Sequence, residues 1–124
     1  MCLISPCLKA GVLRRYNITE NQMIPDFTDT IVQGEVNNYA GVIMSATPVT
    51  ISTATWQLYD NSGNPISGYG GNVMKFDPPG VVVNAWMTLD STSLAPGTYD
   101  IVFTITLADS RVKKPVVRVI VTET

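Results

Sequence analysis

The chain has no histidine, and only 15% of its 124 residues are charged. Without histidine neither a Ser-His-Asp nor a Cys-His arrangement can form, and the commonest general base near neutral pH is missing. Cysteine is nearly as scarce, with Cys2 and Cys7 both close to the N-terminus. A disulfide clamping a sandwich joins distant strands, so these two read as reduced thiols; with no further ligands beside them they make no metal site. Long apolar runs are absent as well: no stretch approaches the ~18 residues of a membrane-spanning helix. Net charge is −2, and the basic residues are scattered apart from Arg14-Arg15 and the run Arg111, Lys113, Lys114. No cationic field gathers phosphates, so neither nucleic acid nor a membrane is an expected partner.

What is present in place of charge is Thr, Ser, Asn, Gly and Val, within a chain that is 45% hydrophobic. The usual charged fraction of a soluble domain is roughly 25%. β-branched side chains suit a pleated surface and lose rotamer freedom in a helix, so strands and turns are expected. The length fits one domain with one core. Residues 1–15 read as an N-terminal arm, because Leu3, Ile4, Leu8, Val12 and Leu13 follow no clean period and Pro6 interrupts any helix. The domain proper is then 16–124. In "MCLISPCLKAGVLRR" the basic residues follow the apolar ones, the reverse of a signal peptide, so the expectation is a protein made in the cytoplasm. Asn17-Ile18-Thr19 matches a glycosylation acceptor but has no secretion signal to support it.

Along the chain, short strands are expected around 15–19 and 29–36, with "NNYAG" as a loop and "VIMSATPVTIS" extended up to an edge or break at Pro48. In "TATWQLYD", Ala54, Trp56 and Leu58 alternate with Thr55, Gln57 and Tyr59, and "DNSGNP" supplies a turn. "ISGYGGN" is glycine-rich enough to read as an irregular loop, and "NVMKF" as a short strand ended by "DPPG". In "VVVNAWMTLD", Val81, Val83, Ala85, Met87 and Leu89 form one face, and Trp86 falls on the face toward water. "TYDIVFTITLA" then alternates Tyr99, Ile101, Phe103, Ile105 and Leu107 with polar residues. Asp109-Ser110 turns the chain, and Val117, Val119 and Val121 line the returning face. Pro115 removes a ladder donor, so the last strand is expected at an edge or bulged. Seven to nine strands without a helix argue for an antiparallel β-sandwich.

Little chemistry is legible. Asp60, Asp77, Asp90, Asp100 and Asp109 fall at strand ends or turns, where their ordinary work is turn formation. Calcium needs six to eight oxygens, and no loop is acidic enough to supply them. "GYGGN" lacks the Lys-Ser/Thr and helix of a phosphate cradle. No catalytic residue, metal or cofactor is expected. The candidates that remain are interface residues: the aromatics Trp86, Tyr59 and Tyr69, and Leu3, Ile4, Leu8 and Leu13 of the arm.

"LAPGTYDIVF" resembles the tyrosine-corner region of immunoglobulin-like and fibronectin-III-like domains. The resemblance implies that the Tyr99 hydroxyl returns to backbone near Leu94 to Pro96, with Leu94, Trp56 and Phe103 as structural core residues. The B-to-F disulfide of antibody domains is missing. Across roughly 27–123, "DTIVQGEV", "ATWQLYDNSGNPISG" and "GTYDIVFTITLADSRVKKPVVRVIVT" resemble small Ig-like domains of tailed-phage virion proteins, of the baseplate-upper-protein and capsid-decoration kinds. One motif departs: the last turn is Asp109-Ser110 where Asp-Gly is often found. The resemblance implies a non-enzymatic virion component in a capsid, neck, baseplate or tail, made in the host cytoplasm. It would pack on other virion proteins or on itself as a homo-oligomer. The alternative is a glycan- or protein-binding Ig-like module of a bacterial surface or secreted protein.

Overall fold

Among the described residues eleven strands follow one another: β1 (Tyr16–Asn17), β2 (Gln22–Met23), β3 (Phe27–Val32), β4 (Val36–Val49), β5 (Ile51–Tyr59), β6 (Pro65–Asn72), β7 (Lys75–Phe76), β8 (Gly80–Asp90), β9 (Gly97–Leu107), β10 (Val112–Lys113) and β11 (Val116–Thr122). They come from a computed structural model that describes residues 25–124 and the backbone of β1 and β2; there is no helix among the described residues. The expected arm, with Leu3, Ile4, Leu8 and Leu13, lies outside the described residues. So do Cys2, Cys7, the Arg14-Arg15 pair and most of the acceptor tripeptide.

Period-two alternation decides which way each strand faces. On β9 the side chains of Tyr99, Ile101, Phe103, Ile105 and Leu107 are buried, and the residues between them are half-buried on the other face. On β11, Val117, Val119 and Val121 point the same way, set opposite Ile101, Tyr99 and Gly97 by the register. A fully buried side chain of this size is worth roughly 1.5–3 kcal/mol over its exposed state, which is ample reason for the register not to slip by one residue. The larger sheet runs β3-β11-β9-β5-β6, with β10 also on β9, and the smaller runs β4-β8-β7. β1 and β2 pair only with each other. Val83, Ala85, Met87 and Leu89 of β8 close the core from the smaller sheet. The neighbours β4-β8-β7 and β11-β9-β5 repeat the B-E-D and G-F-C neighbours of an immunoglobulin-type sandwich.

Several sequence expectations are corrected. One ladder is parallel: β3 runs alongside β11 from Phe27↔Val117 to Val32↔Thr122, so the sandwich is not purely antiparallel. That strand ends at Val32 and not at Val36, because the chain turns over Gln33-Gly34, with Gly34 at φ 103. "NNYAG" is not a loop but the middle of β4, where buried Tyr39 stands opposite Met87. Gly41 serves there for closeness: a Cβ would sit 2.7 Å from Cγ of Phe103 and 2.9 Å from Cγ of Pro115. "ISGYGGN" is the edge strand β6, irregular in register with Gly68 and Gly71 at positive φ.

Pro115 makes neither an edge nor a bulge. Lys113↔Ile105 and Val116↔Val102 keep one register across it, and its carbonyl still accepts from the Phe103 N–H at 3.0 Å. β11 lies between β3 and β9. Pro48 falls within a real irregularity, between Met44 and Val49, just before the chain crosses into the larger sheet at Ile51. Opposite that irregularity Val81 is exposed, so the buried face of β8 starts at Val83 and not at Val81.

Candidate interaction surface

The outward faces of the two sheets position very different side chains. On the larger sheet the ladder aligns Thr55 with Thr104 and Thr53 with Thr106, and β11 sets Arg118 opposite Asp100. That last pair is an ion pair, Nε to Oδ1 2.9 Å, so Asp100 lies within β9 as a cross-strand partner and not at a turn. The bond to Asp100 holds the Arg118 guanidinium above its ordinary range, against the opposing effect of burial.

On the smaller sheet the outward row of β4 is Val36, Asn38, Ala40, Val42 and Met44, facing Asp90, Thr88, Trp86, Asn84 and Val82 of β8. Val42, Met44 and Val82 are exposed, Met44 to 77%. Met74 lies further along the face, beside Thr88, whose hydroxyl donates to Asn38 Oδ1 at 2.7 Å and is 3.4 Å from the Met74 sulfur. Trp86 is half-buried in the middle of this face, with Lys75 Nζ 5.9 Å from its ring centre. One end is pinned by Asp77, whose Oδ2 accepts from the Asn84 backbone N–H and side-chain amide at 3.0 and 2.7 Å. The Asn84 amide bond, ahead of all other causes, holds the Asp77 carboxyl below its ordinary range. Beside β4 runs a groove of about 580 Å³ whose lining includes Phe27, Val42, Met44, Pro115 and Val117, together with Asp26 and Lys113.

Of the described residues singled out from sequence, Trp86 alone is on this surface. Tyr59 is half-buried on the outer face of the larger sheet, and Tyr69 packs partly buried against the core, so the three aromatics make no common site. Trp56 is also only partly buried; the centre beside it is filled by Phe103, its register partner, which is fully buried. Leu94 is buried, and the Tyr99 hydroxyl donates to the Ala95 carbonyl at 2.5 Å, the bond that defines a tyrosine corner. Burial pushes the Tyr99 phenol above its ordinary range.

Val42, Met44, Val82 and Met74 were missed by the sequence reading. A signal existed: from Val36 to Tyr59 no charged residue occurs, although β4 passes along the surface.

Reactive chemistry is not assembled here. Asp60 caps its turn by accepting from the N–H groups of Ser62 and Asn64, Asp90 accepts from Thr92 N–H, and Asp109 pairs with Arg111 at 2.7 Å on the surface. Among the described residues no three of His, Cys, Asp or Glu gather to hold a metal, and no helix is long and apolar enough to cross a membrane. What the surface can do is bury apolar area against another surface.

No protein-family model matches the chain, and no curated protein matches it. Solved structures do. CopC from Methylosinus trichosporium OB3b is 17% identical over 79% of this chain and 86% of its own, with a TM-score of 0.49. A family 123 glycoside hydrolase from Clostridium perfringens is 12% identical over 86% of this chain, also with a TM-score of 0.49. The matched region spans 24% of that hydrolase's length. Both likenesses are too remote to bear on what this chain does.

Proposed function

We propose that this chain is a non-enzymatic structural component of a tailed-phage virion, working by packing against neighbouring subunits. The observation that carries the reading is the outer face of the smaller sheet, where Val42, Met44, Val82 and Met74 are exposed around Trp86. Apolar patches of this kind mark surfaces that meet another protein. A low charged fraction and the resemblance of the "TWQLYDNSGNP" and "GTYDIVF" stretches to virion Ig-like domains support the particular setting. Partners are then other virion proteins or further copies, and the protein is made in the host cytoplasm.

Mass spectrometry of purified particles of the source phage tests this directly. The protein is expected in the particle, and a Val42→Lys/Met44→Lys variant is expected to be left out while Thr104→Lys, on the other sheet, is incorporated. Absence of the protein from every particle would overturn the reading. Binding of the isolated chain to a polysaccharide, lost in Trp86→Ala or Tyr69→Ala, would establish the bacterial surface module instead.

A further inference from the structure

Among the described residues four strands end the two large sheets, and their edges are not alike. β6 opens on Pro65 and holds Gly68 and Gly71 at positive φ. β7 has two residues and runs into Asp77-Pro78-Pro79. β3 has six, follows Pro25 and Asp26, and carries Asp29. Shortness, proline, kinks and charge are the features that stop a sheet edge from pairing with another chain. From Val36 to Met44, β4 has none of them. Every residue of that run is in register with β8, with no proline and no charge, and the irregularity comes only after Met44.

Among the described residues β4 is paired on the β8 side only. Alongside its other side lies the apolar groove, where Phe27 points between the sheets yet is 57% exposed.

We infer that β4 pairs edge to edge and antiparallel with β4 of a second copy of this chain, across a two-fold axis at Ala40. The run has no charge, so facing copies set no like charges opposite each other. Ala40 is its midpoint, and centring there opposes Val36 with Met44 and Asn38 with Val42, using the whole run against itself. The small alanine lies on the axis. Two three-stranded sheets become one continuous sheet whose apolar outer faces adjoin. The contact is isologous, so it closes at two copies and leaves no further β4 edge to propagate a filament.

Light scattering on the full chain is expected to give twice the 13.4 kDa chain mass. Val42→Lys/Met44→Lys is expected to raise the dissociation constant by roughly tenfold or more, since edge lysines oppose pairing, with the thermal midpoint retained. In a Cys2→Ser/Cys7→Ser background, Ala40→Cys is expected to cross-link two chains on mild oxidation. Directly opposed antiparallel residues hold their Cα atoms ~4.5–5.5 Å apart, within the ~4.4–6.8 Å span of a disulfide. Thr104→Cys in the same background is expected to stay uncross-linked.

A monomer at the highest attainable concentration overturns the inference. So does a dimer untouched by the lysines, or one lost only when residues 1–15 are removed. A cross-linked dimer that never enters particles would sink the virion role and leave the pairing standing. A monomer found in particles would do the reverse.

Discussion

The outer faces of the two sheets cover one core, yet they are dressed for different neighbours. The larger sheet shows water paired threonines and the Arg118–Asp100 ion pair, while the smaller shows Val42, Met44, Val82 and Trp86. Inside, both obey the same alternation and bury the same kinds of side chain. The difference teaches that a buried face specifies a strand in the fold, whereas its outer face is free to be chosen for something else. Threonines suit a solvated β surface; an apolar face left in water needs another reason.

The comparison can be broken first where the smaller sheet presses on the larger. Gly41→Ala places a Cβ 2.7 Å from the buried Phe103 ring, which has no room to withdraw. An overpacking cost of about 1–3 kcal/mol is expected, read as a lowered urea midpoint. An unchanged midpoint would mean that the sheets sit further apart than described.

Tyr39 on β4 is the next test, since its hydroxyl donates to Asp29 Oδ2 on β3 at 2.7 Å and so ties the two sheets together. Tyr39→Phe is expected to cost about 1–2 kcal/mol near neutral pH. Burial first, then the Asp29 bond and charge, push the Tyr39 phenol well above its ordinary value of 10.0. A raised folded value means the stabilisation is whole below pH 10 and is lost as pH climbs toward and through the raised value. Wild type should therefore lose stability with rising pH above about 10, and Tyr39→Phe should lose less. Parallel thermal melts of the two, from pH 8 upward, decide it; identical slopes would contradict the buried bond.

The hairpin of the larger sheet offers a gain. Ser110 holds φ at 76, a left-handed conformation that costs a non-glycine residue energy. Ser110→Gly should add about 0.5–1 kcal/mol after allowing for glycine's greater unfolded freedom, seen as a raised thermal midpoint. The smallest effect sharpens the contrast between the faces. Met44→Lys and Thr104→Lys should each shift stability by no more than about 0.5 kcal/mol. Of the two, only Met44→Lys should weaken association.

How much was legible depended on whether neighbours in sequence were enough. The β9–β11 hairpin could be read because its two strands alternate cleanly and pair with each other across a short turn. The same alternation placed Trp86 outward. "NNYAG" misled because asparagine and glycine usually mark loops, and the reason for Gly41 is a ring that lies 62 positions away in sequence (103 − 41). "ISGYGGN" misled for a related reason: β5 supplies a template that holds even a glycine-rich segment extended. Pro115 looks like an edge marker, but the chain just after it is bonded on the β3 side as well: the Val116 N–H donates to Asp26 Oδ2 at 2.7 Å and the Val116 carbonyl accepts from the Asp26 N–H at 2.8 Å. The candidate surface was the least legible part. Alternation says that Val42 and Met44 share a face; it does not say what, if anything, lies over that face.

By itself, then, the sequence determined that the chain is all-β, which residues of β9 and β11 face inward, and that no histidine-based catalysis is possible. Those follow from residue types and from a period of two, both local properties. Only the tertiary structure decided that β3 joins β11 in parallel, that β4 ends its sheet among the described residues with an uncharged run, and that Val42, Met44, Val82 and Trp86 form one surface. These depend on which strands become neighbours, and that is settled by the packing of a shared core between segments far apart in the chain.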